Sequence, residues 1–176
     1  MDELTTYISY IKNKMIPTKD WSKVRVDVPE AERIFHEYEA YKKTGYGRLL
    51  VDFDDMLVIG EKALEDDREL LRKYQERYDY LLTDESQDTS MVQHAIIEKL
   101  VREHGNLFVV ADDDQSIYSW RGAEPLYLLN FKDVYPNATT LLMEQNYRSS
   151  KDIVSFTINS RSDMKKLKNT FILLFR

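Results

Sequence analysis

The chain contains no cysteine, which excludes disulfides and thiolate metal sites. It has no excess of positive charge: 25 Lys and Arg stand against 31 Asp and Glu, a formal net charge of −6. A whole-protein basic field is therefore lacking, and any contact with nucleic acid must come from a local patch. No run of about 18 apolar residues occurs, so the sequence offers no membrane span. The start, Met1-Asp2-Glu3-Leu4, is acidic and lacks the basic region and apolar core of a signal peptide. There is no internal repeat and no low-complexity stretch. What is present is 43% hydrophobic residues in 176, enough for a packed domain of ordinary size. A soluble, cytoplasmic protein is the simplest expectation.

Hydrophobic spacing divides the chain into a helical part and an alternating part. Residues 1–50 read as mostly helical and polar. The spacing predicts a helix over Pro29 to Lys43, with Pro29 in its first turn, Glu30 and Glu32 at its positive end, Lys42 and Lys43 at its negative end, and Gly45 to stop it. Ile34, Phe35, Tyr38 and Tyr41 form its apolar stripe. Between Lys14 and Val28 the pattern breaks, at Pro17 and a short Val24-Arg25-Val26 alternation, as in a connection or insertion. Asp52 is positioned to cap a second helix, with Asp55 three residues on, running to about Leu64. A third is expected from Arg68 to about Tyr78, with Leu70, Leu71 and Tyr74 inward.

Beyond this point strands and helices alternate. Tyr80–Thr83, Leu107–Val110 and Thr139–Met143 read as buried strands. Met91–His104, ended by Gly105, and Leu126–Phe131 read as helices. Continuous apolar strands alternating with helices predict an α/β fold with a parallel sheet. The final apolar run, Phe171-Ile172-Leu173-Leu174-Phe175, suits either a cut through a larger protein or a terminal strand docked in the sheet.

The chemistry-bearing residues gather where strands give way to loops. Asp84-Glu85 follows the apolar Tyr80-Leu81-Leu82, at the usual ligand edge of an open α/β sheet. Magnesium prefers one or two carboxylates plus phosphate oxygens, and a neighbouring carboxylate can orient and deprotonate a water. On its own the pair is equally well read as an exposed acidic turn capping the next helix. Asp88 and Ser90 suit capping of the Met91 helix. Tyr118 and Trp120 sit among Ser116, Ser119, Arg121 and Gly122, a loop composition rather than a core one. Asp112-Asp113-Asp114 reads as a solvated loop, because three adjacent acids rarely converge on one ion. His36, His94 and His104 show no metal-ligand spacing and fall on expected helix surfaces. Arg148, taken alone, suits a helix cap or a surface ion pair worth little.

Three segments in order make the pattern specific. Leu82-Thr83-Asp84-Glu85-Ser86-Gln87-Asp88-Thr89 resembles the second helicase motif of the UvrD/Rep-like superfamily 1 DNA helicases. Ala111 through Gln115-Ser116-Ile117-Tyr118-Ser119-Trp120-Arg121-Gly122-Ala123 is similar to their third, and Leu142-Met143-Glu144-Gln145-Asn146-Tyr147-Arg148-Ser149 to their fourth. Asp52-Phe53-Asp54-Asp55-Met56-Leu57 resembles the segment preceding the second motif. The match covers roughly residues 30–160; residues 1–28 carry no assignable signal. Ser86 stands where the family usually has an apolar residue, and Ala111 where glycine is usual, a change expected to tighten the turn there.

The resemblance implies a partial RecA-like (P-loop NTPase type) parallel-sheet domain with a helical N-terminal portion. It implies ATP and magnesium as cofactors and single-stranded DNA as partner. Asp84 would hold magnesium and Glu85 would be the catalytic base. Gln87 and Gln115 would contact the γ-phosphate region and couple it to the DNA groove. Tyr118 and Trp120 would face single-stranded DNA, where sequence-tolerant base stacking suits them, and Arg121 would join the network between nucleotide and DNA. Tyr147 would stack on adenine and Arg148 would be an arginine finger.

One element of that chemistry is missing. A phosphate-binding loop, G-x-x-x-x-G-K-[ST], uses backbone amides and a lysine on the phosphates. The five glycines, at 45, 47, 60, 105 and 122, are never followed by Lys. The family's motif order therefore places this chain inside a longer helicase polypeptide, its remaining partner. Residues 1–50 would be part of an inserted helical subdomain, 51–145 the second half of the first motor domain, and 146–176 the start of the second. The expected function is a fragment of an ATP-dependent DNA helicase or translocase of 3′-to-5′ polarity, inactive alone. A non-catalytic module binding single-stranded DNA or protein, and the motor part of a helicase–nuclease subunit, are the competing readings.

Overall fold

The computed structural model describes residues 3–44, 47–112, 115–143, 145, 147–153, 155 and 170–175. Gly45, Asp113, Asp114, Glu144 and Asn146, which figured in the sequence reading, lie outside them. In chain order the helices are α1 (Glu3–Asn13), α2 (Ala31–Thr44), α3 (Phe53–Asp66), α4 (Arg68–Arg77), α5 (Met91–Val101), α6 (Pro125–Leu129) and α7 (Phe131–Val134). The strands are β1 (Leu81–Thr83), β2 (Leu107–Asp112), β3 (Thr139–Met143) and β4 (Thr170–Phe175).

The fold is α/β, and its sheet is mixed rather than wholly parallel. Strand order is β1-β2-β4-β3. β1 and β2 run parallel, with Leu81 opposite Leu107 and Thr83 opposite Val109, joined through α5 in the crossover that parallel pairing requires. β4 lies antiparallel between β2 and β3, Leu107 facing Phe175 and Leu141 facing Ile172. The terminal apolar run is thus a docked strand: its backbone groups are paired on both sides.

Of the three strands read from the sequence, β2 is the one buried as expected, and it alternates: Leu107, Val109 and Ala111 are each under 5% exposed. They pack with Val101 of α5 and with Leu128, Phe131, Tyr135 and Ala138. β1 is an edge strand, so Leu82 is 70% exposed, and β3 leaves Leu141, Leu142 and Met143 about half exposed. Those two strands are therefore not the buried runs expected.

A second core explains the segment that carried no signal. Tyr7 and Ile11 of α1 pack on Ala31 and Phe35 of α2. Trp21, in a 3-10 turn over Thr18–Lys23, stacks on Phe35 with centroids 4.1 Å apart. Val24, Val26 and Val28 close the same core, which accounts for the alternation around Arg25.

α2 begins at Ala31, two residues after Pro29, and its inward stripe differs from the expected one. Phe35 is buried and Tyr41 is exposed; Tyr38, 36% exposed, lies against Lys42 with its hydroxyl donating to Asp52 Oδ2 at 2.9 Å, and Lys42 is itself buried. The reason is electrostatic. Lys42 Nζ lies 2.6 Å from Asp55 Oδ2 and from Glu39 Oε1, while Lys12 Nζ of α1 lies 2.7 Å from Asp52 Oδ2 and from Asp55 Oδ1. Asp52 also caps α3 by accepting from the Asp55 amide at 2.7 Å, and Asp55 returns the contact in a capping box. The acidic segment expected before the second motif therefore ties α1, α2 and α3 into one unit. α4 buries no residue. Leu70 and Leu71 are half-buried, Tyr74 is exposed, and Gln75 reaches the Lys99 carbonyl at 2.8 Å.

Candidate functional site

β1 delivers Asp84 and Glu85 to the carboxyl edge of the parallel strand pair. Glu85 takes a left-handed conformation (φ 50°), which turns the chain sharply into a 3-10 turn over Ser86–Asp88. Both carboxylates are exposed, and the Glu85 amide donates to Asp84 Oδ1 at 2.9 Å. Ser86 is buried because its hydroxyl meets Thr83 Oγ1 at 2.8 Å, which explains a polar residue where an apolar one is usual.

Gln87 is the hub. It is 1% exposed, and its carboxamide is used at both ends. Nε2 donates to Glu85 Oε2 at 2.7 Å, and Oε1 accepts from the Asp112 amide at 3.0 Å. Its carbonyl accepts from the Ser116 hydroxyl at 3.3 Å, and Gln115 donates through Nε2 to Asp112 Oδ2. The ends of β1 and β2 are thus joined through the Gln87 side chain, and the start of the following loop is tied to its main-chain carbonyl. Asp112, read from the sequence as part of a solvated loop, ends β2 instead, and it and Ser116 join this cluster; their spacing from Gln87 carries no signal before the strands are paired. Ala111 is buried inside β2 and not in a turn, so its methyl packs in the core and tightens no loop.

Ser90 caps α5 as expected, its amide and hydroxyl meeting Gln93 Oε1 at 2.9 and 3.1 Å. Asp88 does not cap that helix. Burial pushes its carboxyl above the usual range; the Ile117 amide partly offsets this, and the charge of Glu85 adds to it.

The aromatic residues form a second group. Tyr118 leads into a 3-10 turn over Ser119–Arg121, closed by Gly122 at φ 93°. Tyr118 and Trp120 are 39% and 42% exposed, with ring centroids 6.3 Å apart, so neither is a core aromatic. The Arg121 guanidinium lies 5.7 Å from the Trp120 ring and 6.0 Å from that of Tyr118. Trp120 also lines a groove of about 580 Å³ with Tyr7, Tyr10, Val24, Arg25 and Val26. Tyr147 and Arg148, beyond β3, are both exposed, Tyr147 at 80%.

His94 departs from its expected place on a helix surface. It is 3% exposed on α5 and stacked on Tyr127 with centroids 3.8 Å apart. Burial pulls its pKa down to about 4; the Glu124 carboxylate opposes this and Lys14 reinforces it.

No group of three or more His, Asp or Glu able to hold a metal occurs among the described residues. Magnesium keeps waters and takes one or two carboxylates beside phosphate. Asp84, exposed at the strand edge, fits that donor set. No helix among the described residues is long and apolar enough to cross a membrane.

Comparison with known proteins adds an independent line. A family model for the UvrD/REP helicase N-terminal domain matches residues 1–136. The chain is 40% identical over 147 residues to an ATP-dependent DNA helicase PcrA of Leuconostoc citreum, covering 84% of this chain and 20% of that protein. It is 38% identical over 164 residues to a putative ATP-dependent DNA helicase, YjcD, of Bacillus subtilis, covering 93% of this chain and 20% of that protein. A PcrA of Bacillus subtilis is 38% identical over 147 residues, with shares of 84% and 20%. The chain thus spans about a fifth of the length of these relatives.

Proposed function

We propose, because this chain belongs to the UvrD/REP helicase family, that it supplies the magnesium-holding, base-bearing and DNA-facing segments of an ATP-dependent DNA helicase. The observation that carries the reading is the Gln87 cluster. Its buried carboxamide holds the Asp84-Glu85 turn to the end of β2, and its main-chain carbonyl holds the loop that leads to Tyr118, Trp120 and Arg121.

In this reading Asp84 holds magnesium, whose bound charge offsets that of the nucleotide phosphates. Glu85 accepts the proton of the attacking water, and the Gln87 carboxamide fixes the orientation of its carboxylate. Gln115, hydrogen-bonded to Asp112, is the second polar contact toward the terminal phosphate. Tyr118 and Trp120 stack on bases, with Arg121 between nucleotide and strand. Tyr147 stacks on adenine, and Arg148 offsets developing charge as an arginine finger. Residues 51–145 form the later part of a first RecA-like motor domain, 1–50 belong to its helical insertion, and 146–176 begin the second, with Thr170–Phe175 paired into the sheet of the first. Translocation runs 3′ to 5′.

The sequence holds no phosphate-binding loop, since none of its five glycines precedes a lysine. Turnover therefore belongs to a longer polypeptide that provides one. The test is ATP hydrolysis and oligo-dT binding by the purified chain, beside Glu85→Gln. Binding of oligo-dT without turnover is expected. DNA-stimulated hydrolysis that Glu85→Gln abolishes would refute the missing-loop argument. A folded chain that ignores oligo-dT would refute the DNA-facing assignment.

A further inference from the structure

The loop from Tyr118 to Arg121 buries little of itself: Ile117 is 66% exposed, Trp120 42%, and the turn over Ser119–Arg121 has no buried residue. A stacking platform that wanders must be ordered when a base arrives, and the ordering entropy weakens binding. What holds the loop is therefore a functional question, and the contacts at its C-terminal end answer it.

Gly122 packs directly on the last turn of α1. A Cβ there would stand 2.8 Å from Asn13 Cβ and 3.5 Å from both Asn13 C and Lys14 Cγ, so no side chain fits without moving the helix or the loop. Its φ of 93° is a second reason for glycine. Two residues on, Glu124 forms an ion pair with Lys14 across 110 positions of sequence, both side chains largely shielded at 17% and 22% exposure. Asn13 is itself fixed, its carboxamide donating to Asp54 Oδ1 at 2.8 Å and to the Ser9 carbonyl at 3.0 Å. From the opposite side the Glu124 amide donates to the Thr89 carbonyl at 3.1 Å, and Ala123 bridges to Ser90. The loop is stretched between α1 and the turn that follows Gln87.

From this geometry we infer that Lys14 and Gly122 are positioning residues for the Tyr118–Trp120–Arg121 platform. They make α1, a segment with no motif of its own, a determinant of single-strand affinity. The inference rests on the DNA-facing reading of that platform. Lys14 and Asn13 touch no nucleic acid in it; they act through the loop.

The chain has two tryptophans, Trp21 and Trp120, so Trp21→Phe leaves Trp120 as the sole tryptophan, excited selectively at the red edge where tyrosine does not absorb. In that background we would measure oligo-dT affinity, acrylamide quenching of Trp120 and the melting temperature for Lys14→Met, Glu124→Gln, Gly122→Ala and the exchange Lys14→Glu with Glu124→Lys. Expected are quenching that rises and affinity that falls about tenfold in the three single variants, at a near-parental melting temperature in Lys14→Met and Glu124→Gln, the two in which binding and stability are compared, with both losses restored by the exchange. Unchanged quenching and affinity in Lys14→Met and Glu124→Gln, with Trp120→Ala still abolishing binding, would overturn the positioning role and leave the DNA reading intact. Weakened binding that merely tracks a fall in melting temperature would also overturn it. Affinity indifferent to Trp120→Ala would remove the DNA reading, and the positioning role with it.

Discussion

Gln87 donates through Nε2 to Glu85 Oε2 at 2.7 Å from a position that is itself 1% exposed. A buried amide thus holds an exposed carboxylate, and the same amide accepts from the Asp112 backbone at the end of the neighbouring strand. Whatever moves β2 relative to β1 must act on the orientation of Glu85.

Replacing Gln87 with alanine leaves the Asp112 amide without its acceptor and the Glu85 carboxylate without its donor. An unpaired buried group costs about 1–3 kcal/mol, so Gln87→Ala should destabilise the fold by that amount. Urea unfolding followed by circular dichroism measures it. A midpoint equal to that of the parent would mean the hub contributes nothing.

Trp120→Ala should weaken oligo-dT binding by ~1–3 kcal/mol, the usual worth of one stacked base. Arg121→Ala should weaken it too, and should also flatten the dependence of affinity on salt if the guanidinium meets a phosphate. Fluorescence anisotropy at several salt concentrations separates the two effects. Equal salt slopes for Arg121→Ala and parent would assign Arg121 to the protein's own network.

Much of the local structure was legible because it depends on neighbours in sequence. The capping box of Asp52 and Asp55, the Ser90 cap and the strand–helix alternation after residue 80 all hold. What was not legible depends on distant partners. Lys42 is buried because Asp55 awaits it, and Tyr38, one turn earlier on the same helix, covers that pair and donates to Asp52. Ser86 is buried by one hydroxyl contact, and α1 earns its place through contacts with Asp52, Asp55 and Glu124 that no periodicity announces. At the candidate site the residue types were readable, whereas the Gln87 linkage required the β1–β2 register.

Lys42 is 4% exposed and Asp55 8%, so Lys42→Met leaves a shielded carboxylate short of one partner. Removing one member of a buried pair typically costs 3–5 kcal/mol; with Lys12 still present, roughly 3 is expected. Asp52 supplies a pH signature. Burial alone would raise its pKa, but the hydrogen bond from Lys12, the Asp55 amide, the charge of Lys12 and the Tyr38 hydroxyl outweigh it and hold the carboxyl at about 2. A depressed carboxylate stabilises the fold above its ordinary pKa of 3.8, and that contribution is lost as pH falls through about 2. Asp52→Asn should therefore lower stability at neutral pH and flatten its fall between about pH 4 and 2. An undiminished acid slope in Asp52→Asn would place the titration elsewhere.

His94 should act in the same sense but in a different window. Burial against Tyr127 favours the neutral ring, lowering its pKa from 6.5 to about 4, and Lys14 opposes protonation further while Glu124 favours it. An unfolded chain binds the proton near its ordinary pKa, so between these values the unfolded state holds more protons than the folded one. Stability must then fall as pH drops from about 6.5 toward 4, by up to about 3 kcal/mol at the low end. His94→Phe keeps a ring against Tyr127 and removes the titration. Its stability relative to the parent should rise steadily as pH is lowered through that range and level off below about 4. Thermal melts of both proteins at half-unit intervals between pH 7 and 4 give the difference directly. A gap that stays constant with pH would show that the ring titrates alike in the folded and unfolded chain, as a water-exposed ring does.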